Sequence, residues 1–446
     1  MKHTPNILFV MTDHQRADSI GMLQAGREVT PNLNKLASVS AFFARAYSTC
    51  PLCVPARTAL ATGKYPSRNG VVFNDWKGVT AGDHPTLHEI LADAGYRVAH
   101  VGVHHIRVKP DLRDRVRFSL WVGNREYQRY LAENGIEDDK TETMKPFKKR
   151  VIEFADECPI SMDYSNPRTG VWGHDARHFK DNFFAREAER FILEAGREPF
   201  ALFVCFWAPH PPLRVPEPYF SMFPPDRLDL PPNVDMPAEG EPPLRRLGIA
   251  AQLAEGCSPE DWRRAWSAHL GLTNLADAAV GRLLKALEST NRTDDSVIIF
   301  TDDHGEHLGQ HRMYQKMEMY EQAIRVPLIM KFPDSRAHRF ETPVSHLDVM
   351  PTLLDYLQIE APRGDGKSLM PRIASGDEPE DGFAFSMFCG NVALGDMRRA
   401  VVNRRFKYIH DPIDLPELYD LETDPLETRN LAEDEAHAGV MAELHE

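Results

Sequence analysis

Residues 50–63 read Cys50-Pro51-Leu52-Cys53-Val54-Pro55-Ala56-Arg57-Thr58-Ala59-Leu60-Ala61-Thr62-Gly63. Pro55 presets a helical φ and suits the first turn of a helix, and Gly63 can end that helix. Cys53 would then lie at the helix N-terminus, where N–H groups and the helix dipole favour an anion. Arg57, one turn later, can direct its guanidinium toward the same anion. The stretch therefore predicts a short helix that begins at an anion-binding position.

From Cys53 to Gly63 the residues follow the pattern C-x-P-x-R-x-x-L-x-T-G. This pattern closely resembles the signature of the type I sulfatases, which belong to the alkaline phosphatase superfamily. The resemblance implies that a formylglycine-generating enzyme oxidises Cys53 to formylglycine, whose hydrated aldehyde attacks the ester. Two alternatives remain open. Cys50 and Cys53 also form C-x-x-C, which can be a redox pair, and Cys53 can be an ordinary buried thiol.

The overall composition indicates an ordinary globular chain. Its 446 residues are enough for one large domain and a smaller one, and 42% of them are hydrophobic. The formal net charge of -14 argues against nucleic acid as a partner. No apolar run of about 18 residues exists, so no membrane span is expected. Six sparse cysteines and an N-terminus without a signal-peptide pattern predict a cytoplasmic location, and an oligomer remains possible.

Short apolar runs alternate with helical patterns and predict an α/β fold. The predicted strands are 7–11, 98–103, 201–207 and 296–300, and the predicted helices are 87–94, 181–195 and 272–287. Polar residues follow each strand, and ligands of open α/β sheets bind beyond the carboxyl ends of the strands. We therefore expect one edge of the sheet to bring together Asp13, His105, His210, Asp303 and His304.

The rest of the chain extends the resemblance. Residues 344–354 and 418–431 resemble the family's "sHxDxxPTLL" and "LYDLxxDPxExxNL" segments. The family fold then implies a central mixed, mostly parallel sheet flanked by helices, in a catalytic domain over residues 1–360. A small antiparallel α+β subdomain would cover 361–446. Residues 106–180 and the proline-rich 209–243 are long excursions from the sheet edge, where substrate specificity usually lies.

Two carboxylates and an imidazole predict a metal site. Asp13 and Asp303 follow two strands, and His304 adjoins the second; with the oxygen of a modified Cys53 they would bind one divalent cation. Oxygen-rich sites suit Ca²⁺, Mg²⁺ or Mn²⁺. The resemblance implies Ca²⁺ as the first choice. His304 replaces the asparagine of many members, and its imidazole makes Mn²⁺ the alternative.

The resemblance also assigns groups that move protons and bind substrate. His105 matches a family histidine in G-K-x-H, although Val103 replaces the lysine of that motif. His210, in Pro209-His210-Pro211-Pro212, matches the histidine expected to protonate the leaving oxygen, assisted by Lys316, which also contacts the sulfate. His105 would remove the proton of the second hydroxyl. Asn74 resembles a substrate-binding asparagine of choline-sulfatase and phosphonate-hydrolase members.

The sequence is thus identified as a sulfuric ester hydrolase that acts on a small-molecule or saccharide sulfate ester. The alternative within the superfamily is a phosphonate monoester hydrolase or phosphodiesterase, which the loss of lysine at Val103 and the pair Asp303-His304 favour. A third hypothesis, from another class, is a non-catalytic binding protein with the same fold. The intact set of predicted catalytic and metal-binding residues argues against the third hypothesis.

Overall fold

The computed structural model describes residues 4–74, 78–137, 141–360 and 362–446. The first three residues of the N-terminal segment discussed above and residues 138–140 of the first excursion lie outside these ranges. Ala361, the first residue of the predicted C-terminal subdomain, also lies outside them. The exact division of the chain at residues 360 and 361 therefore stays a prediction.

Strands and helices alternate through most of the chain. The strands are β1 (Asn6–Asp13), β2 (Leu23–Gln24), β3 (Arg27–Glu28), β4 (Ala41–Tyr47), β5 (Arg97–Gly102), β6 (Leu120–Val122), β7 (Lys148–Ala155), β8 (Cys158–Ser165), β9 (Thr169–Trp172), β10 (Phe200–Pro209), β11 (Leu213–Pro216), β12 (Ser296–Asp302), β13 (Arg325–Lys331), β14 (His338–Phe340), β15 (Val344–Ser345), β16 (Ala384–Phe388), β17 (Arg398–Val402), β18 (Phe406–His410) and β19 (Glu417–Asp420). The helices are α1 (Pro31–Ala37), α2 (Cys53–Thr62), α3 (Pro66–Asn69), α4 (Leu87–Asp93), α5 (Leu112–Arg115), α6 (Asn124–Glu133), α7 (Thr141–Met144), α8 (Lys180–Glu194), α9 (Ile249–Ala254), α10 (Pro259–Ser289), α11 (Glu321–Ile324), α12 (Val349–Leu357), α13 (Met370–Ser375) and α14 (Ala438–His445). Within the described ranges, no helix combines the length and apolar composition that crossing a bilayer requires.

A mixed, mostly parallel sheet forms the centre of the molecule, as predicted. Its strand order is β14-β4-β13-β12-β1-β10-β5-β6, and β15 also pairs with β4. The central strand β1 runs parallel to both β10 and β12, and β5 runs parallel to β10. Alternate residues of β1 enter two different cores, with Phe9 on one face of the sheet and Val10 on the other. Because β1, β5, β10 and β12 are parallel, their carboxyl ends meet at one edge.

A second, antiparallel sheet forms in the C-terminal part of the chain, which also matches the prediction. Its strand order is β16-β17-β18-β19. Apolar residues of this sheet share a core with the first half of α10, including Trp262 and Trp266. The excursion at 209–243 is mostly irregular, as expected. The excursion at 106–180 instead contains α5, α6 and the hairpin β7–β8. Because the hairpin is rich in charged residues, it lacks the clear alternation of apolar and polar residues that predicts a strand.

Two buried imidazole rings lie between α4, β5 and β10. The ring of His88 stacks on Phe203 at a centroid distance of 3.8 Å and lies 5.8 Å from the ring of His100. Among the described residues, neither histidine has a hydrogen-bond partner for its ring nitrogens. Burial lowers the pKa of His88 to about 3 and holds the pKa of His100 well below its ordinary value. Both rings are therefore neutral in the folded protein near neutral pH.

These neutral rings predict that the fold loses stability in acid. His88 binds a proton in the unfolded chain below its ordinary pKa of 6.5 but stays neutral in the folded chain until about 3. The free energy of unfolding therefore falls as pH drops through this window, and His88 alone contributes a loss of about 2 kcal/mol between about pH 7 and about pH 5.

The replacement His88→Phe should remove the contribution of His88 to this loss of stability, because the titrating group is gone. The phenyl ring can still stack on Phe203. Urea unfolding at the two pH values should show a smaller stability loss in His88→Phe than in the wild type. The exposed His174→Phe is the matched control and should keep the wild-type dependence. Equal losses in the wild type and in His88→Phe would contradict the prediction.

Candidate active site

Helix α2 begins at Cys53, and all ten of its residues are buried. Leu52 precedes it in extended conformation and provides no side-chain cap. The cap comes instead from Asn74, whose Oδ1 accepts a hydrogen bond from the backbone N–H of Val54 at 3.1 Å. The Nδ2 of Asn74 donates to Oδ1 of Asn391 at 3.0 Å. Asn74 thus lies beside the predicted nucleophile, where one of its polar contacts caps the start of the helix and the other joins it to Asn391.

The predicted metal ligands lie together at the carboxyl edge of the sheet. Asp13 ends β1, and Asp303 and His304 follow β12 directly. Ligand atoms of Asp13, Cys53, Asp303 and His304 all lie within 4.8 Å of one another. All four side chains are buried. Oxygen and imidazole donors at this spacing fit a divalent cation.

The pKa shifts of the candidate ligands also suit a bound cation. Burial and the neighbouring Asp303 raise the pKa of Asp13 to about 7, against the opposing effect of Arg57. Burial also raises the pKa of Asp303, but Arg57 and His304 outweigh it and bring the pKa below its ordinary value. Burial lowers the pKa of His304 to about 3, so its imidazole is neutral and has a lone pair for a metal. A cation among these groups would relieve the repulsion between the two carboxylates.

Arg57 has partners other than the anion predicted from the sequence. Its Nε donates to Oδ2 of Asp303 at 2.7 Å, and a terminal nitrogen donates to Oδ2 of Asp13 at 2.8 Å. Its other terminal nitrogen donates to the carbonyl of Val103 at 2.6 Å. The guanidinium therefore neutralises the two candidate ligand carboxylates and joins them to the end of β5.

Lys316 provides a second buried cation next to Cys53. Its Nζ lies 2.8 Å from Sγ of Cys53, and Sγ is also 3.3 Å from Nε2 of His304. Burial lowers the pKa of Lys316, but Cys53, Asp13 and Asp303 outweigh it, so the net shift is upward and the amine is charged. Burial and Asp13 raise the pKa of the Cys53 thiol. An unmodified Cys53 is thus a protonated, weak nucleophile, and burial also raises the pKa of Cys50, which disfavours the redox alternative.

The two predicted proton-transfer histidines both lie next to the ring of Trp207. The rings of Trp207 and His210 are 3.8 Å apart, and the rings of Trp207 and His105 are 6.4 Å apart. Nδ1 of His210 hydrogen-bonds the carbonyl of Pro211, which directs Nε2 to other partners. Burial lowers the pKa of His210, with Lys316 adding to the effect, and burial and Arg57 lower that of His105. Both imidazoles are therefore neutral.

His14 and Glu306 form a buried pair that was not predicted from the sequence. Nδ1 of His14 lies 2.7 Å from Oε2 of Glu306, and Nε2 lies 2.7 Å from Nζ of Lys316. Because the charged Lys316 donates to Nε2, the ring hydrogen of His14 is on Nδ1 and points to Glu306. The position of Glu306 could have marked it as a residue of the site, because it stands two residues after His304 in the same polar segment.

The C-terminal sheet supports the segment that carries Lys316. Gln315 and Met317, on either side of it, have positive φ angles of 69° and 77°. Such left-handed backbone is unfavourable for residues other than glycine and must be held by its surroundings. Just beyond, Glu318 forms a buried ion pair of 3.0 Å with Arg398 of β17. This support was not predictable from the sequence, because its partners lie far apart in the chain.

Comparison with known proteins settles the family. A sequence profile of the sulfatase family matches residues 5–359, and a profile of the C-terminal region of N-sulphoglucosamine sulphohydrolase matches residues 309–446. The chain belongs to the sulfatase family. The predicted membership in the alkaline phosphatase superfamily is thereby confirmed, together with the predicted class of sulfuric ester hydrolases.

Individual relatives in this superfamily cover nearly the whole chain. A multifunctional alkaline phosphatase superfamily protein of Trinickia caryophylli is 28% identical over 98% of this chain and 93% of its own length. The choline-sulfatase of Rhizobium meliloti is 29% identical over 96% of this chain and 82% of its own. Among solved structures, the phosphonate monoester hydrolase of Agrobacterium radiobacter has a TM-score of 0.80 and 25% identity, covering 98% of this chain and 94% of its own.

The His14–Glu306 pair predicts a loss of activity when the carboxylate is removed. Glu306→Gln keeps the size of the side chain but replaces the carboxyl group that accepts the Nδ1–H of His14 with an amide. We expect kcat for an aryl sulfate to fall about 10- to 100-fold, as is usual when a buried carboxylate orients an active-site imidazole. The control Glu189→Gln changes a partly exposed ion pair with Arg282 and should keep wild-type activity. A folded Glu306→Gln protein with wild-type kcat would refute the role.

Proposed function

We propose that this protein hydrolyses sulfate monoesters with a formylglycine made from Cys53 by a formylglycine-generating enzyme. The position of Cys53 carries the proposal, because this first residue of a buried helix lies beside Lys316 and among the candidate metal ligands. As a cysteine it is held in the unreactive thiol form. Its hydrated aldehyde would instead offer an oxygen nucleophile at the same place.

Asp13, Asp303 and His304, with the modified residue 53, would hold a divalent metal. Ca²⁺ is the first choice, and the imidazole of His304 makes Mn²⁺ the alternative. When bound, such a metal acts as a Lewis acid that favours the ionised form of the nucleophile. Arg57 opposes the protonation of both carboxylates and holds them in place, because it hydrogen-bonds each of them.

The remaining side chains would bind the sulfate and transfer protons. Lys316 is charged and directs its Nζ at residue 53, where it can contact a sulfate oxygen. His210 would take up a proton when the negative charge of the ester arrives, and then donate it to the leaving oxygen. His105 is neutral and would act as the base for the second hydroxyl. Asn74 would bind the substrate as well as cap α2.

The names of relatives support a small molecule or a saccharide as the alcohol part of the ester. One relative is a choline-sulfatase, and another, from Bacteroides thetaiotaomicron, is an N-acetylglucosamine-6-O-sulfatase. The predicted cytoplasmic location and the possible oligomer stay predictions.

A second candidate is a phosphonate monoester hydrolase or phosphodiesterase. Val103 stands where many sulfatases have a lysine, which removes one cation that would bind a sulfate. The structural similarity to the Agrobacterium radiobacter enzyme also favours this candidate. A panel of an aryl sulfate, a phosphonate monoester and a phosphodiester, measured with metal analysis, distinguishes the two. If the sulfate ester is by far the poorest of the three, the second candidate replaces the first.

The proposed nucleophile predicts two linked results for Cys53. In protein from a host that makes the modification, peptide mass spectrometry should show that residue 53 has lost its sulfur. Cys53→Ala should lower kcat for the aryl sulfate by at least about a thousandfold, as is typical when a nucleophile is removed. The control Cys158→Ala alters an exposed cysteine and should retain both activity and the modification. An unmodified thiol in active protein would rule the mechanism out.

A further inference from the structure

A cavity of about 290 Å³ opens beside His105, where β5 and β6 end and α6 begins. Its lining includes Val103, His105, Arg113, Trp121 and Arg125. The carbonyl of Val103 accepts a hydrogen bond from Arg57, the residue that holds both candidate ligand carboxylates. The cavity therefore adjoins the candidate active site through both Val103 and His105.

The charged side chains of this cavity are mainly basic. The side chain of Arg125 is exposed and makes no ion pair or hydrogen bond with any residue of the described ranges. Nε of Arg113 donates to Oδ1 of Asp111 at 3.2 Å, and its guanidinium carbon lies 5.5 Å from the centre of the Trp121 ring. Glu126 also lines the cavity, but its Oε2 accepts the backbone N–H of Gly123 at 2.8 Å. A basic cavity in a chain of net charge -14 is suited to an anion.

An aromatic side chain lies between this cavity and the second catalytic histidine. Trp207 is half-buried, and the centre of its ring lies 3.8 Å from that of His210 and 6.4 Å from that of His105. A flat or cyclic group of a ligand can pack on such an indole and bury apolar area there. If a ring of the substrate packs on Trp207, the ester oxygen attached to that ring can lie near His210. Another substituent of the ring can then lie near His105 and the cavity.

We propose that the preferred substrate is a sulfate monoester of a cyclic alcohol that carries a second anionic group. Arg125 and Arg113 bind that group, which is a carboxylate or a second sulfate. Both groups present paired oxygens that fit the fork of a guanidinium. The inference rests on the proposed function and specifies the substrate class of the same site.

Kinetics on matched substrates test the proposal. The substrates are meta-carboxyphenyl sulfate, resorcinol bis-sulfate and meta-carbamoylphenyl sulfate, which has the same shape as the first but a neutral substituent. We expect the wild type to prefer at least one of the anionic substrates over the carbamoyl compound, chiefly through a lower KM. Arg125→Gln should reduce that preference about tenfold, because the anionic substrates lose a hydrogen-bonded charge pair that the neutral carbamoyl group never forms.

Two further variants sharpen the test. Arg125→Lys should recover part of the preference, because it keeps the charge without the fork. The surface control Arg190→Gln, on α8, should behave as the wild type. The anionic substrate whose preference is lost in Arg125→Gln identifies the group as a carboxylate or a sulfate.

Two results would overturn the inference. One is a wild type that turns over the carbamoyl and anionic sulfates equally well. The other is a preference that survives in both Arg125→Gln and Arg113→Gln. Either result would leave sulfate hydrolysis itself intact. Failure to hydrolyse any of the sulfates, with good turnover of a phosphonate monoester, would overturn the proposed function as well.

Discussion

The candidate active site depends on one interaction. The guanidinium of Arg57 hydrogen-bonds two carboxylates, those of Asp13 and Asp303. Two carboxylates without access to water repel each other and lose their hydration, which is costly unless a cation pairs with them. Arg57 lies 2.8 Å from one and 2.7 Å from the other. Since it also binds the carbonyl of Val103, one side chain fixes α2 against the ends of β1, β5 and β12.

The balance of buried charge explains how a strongly acidic chain can receive an anionic ester. Asp13 and Asp303 are offset by Arg57 and Lys316, so these four groups together are close to neutral. Burial raises the pKa of Glu306 to about 7, which limits the negative charge it adds at the site. A divalent cation added to this set would make the site positive, and the field is strong because water is excluded. The proposed metal thus has a second role, since it supplies the attraction that the rest of the chain opposes.

The parts predicted from the sequence are those encoded in short segments. The strands around β1 were predictable because each is a continuous apolar run, and their parallel arrangement then placed Asp13, His105, His210 and Asp303 at one edge. The partners of Arg57 were not predicted, because a motif gives the position of a side chain and not its contacts. The cap that Asn74 provides for α2 was missed for the same reason.

The support of Lys316 shows most clearly what a local sequence pattern leaves out. Its neighbours Gln315 and Met317 adopt left-handed backbone, which the surrounding structure must hold in place. The anchors are Arg398, 80 residues from Glu318, and Lys407 of β18, which is fully buried between Glu321 and Glu427. Unpairing a buried charge costs about 3–5 kcal/mol, so damage to these ion pairs would release the segment. The C-terminal sheet is therefore part of the machinery that positions the lysine, although the lysine itself lies outside that sheet.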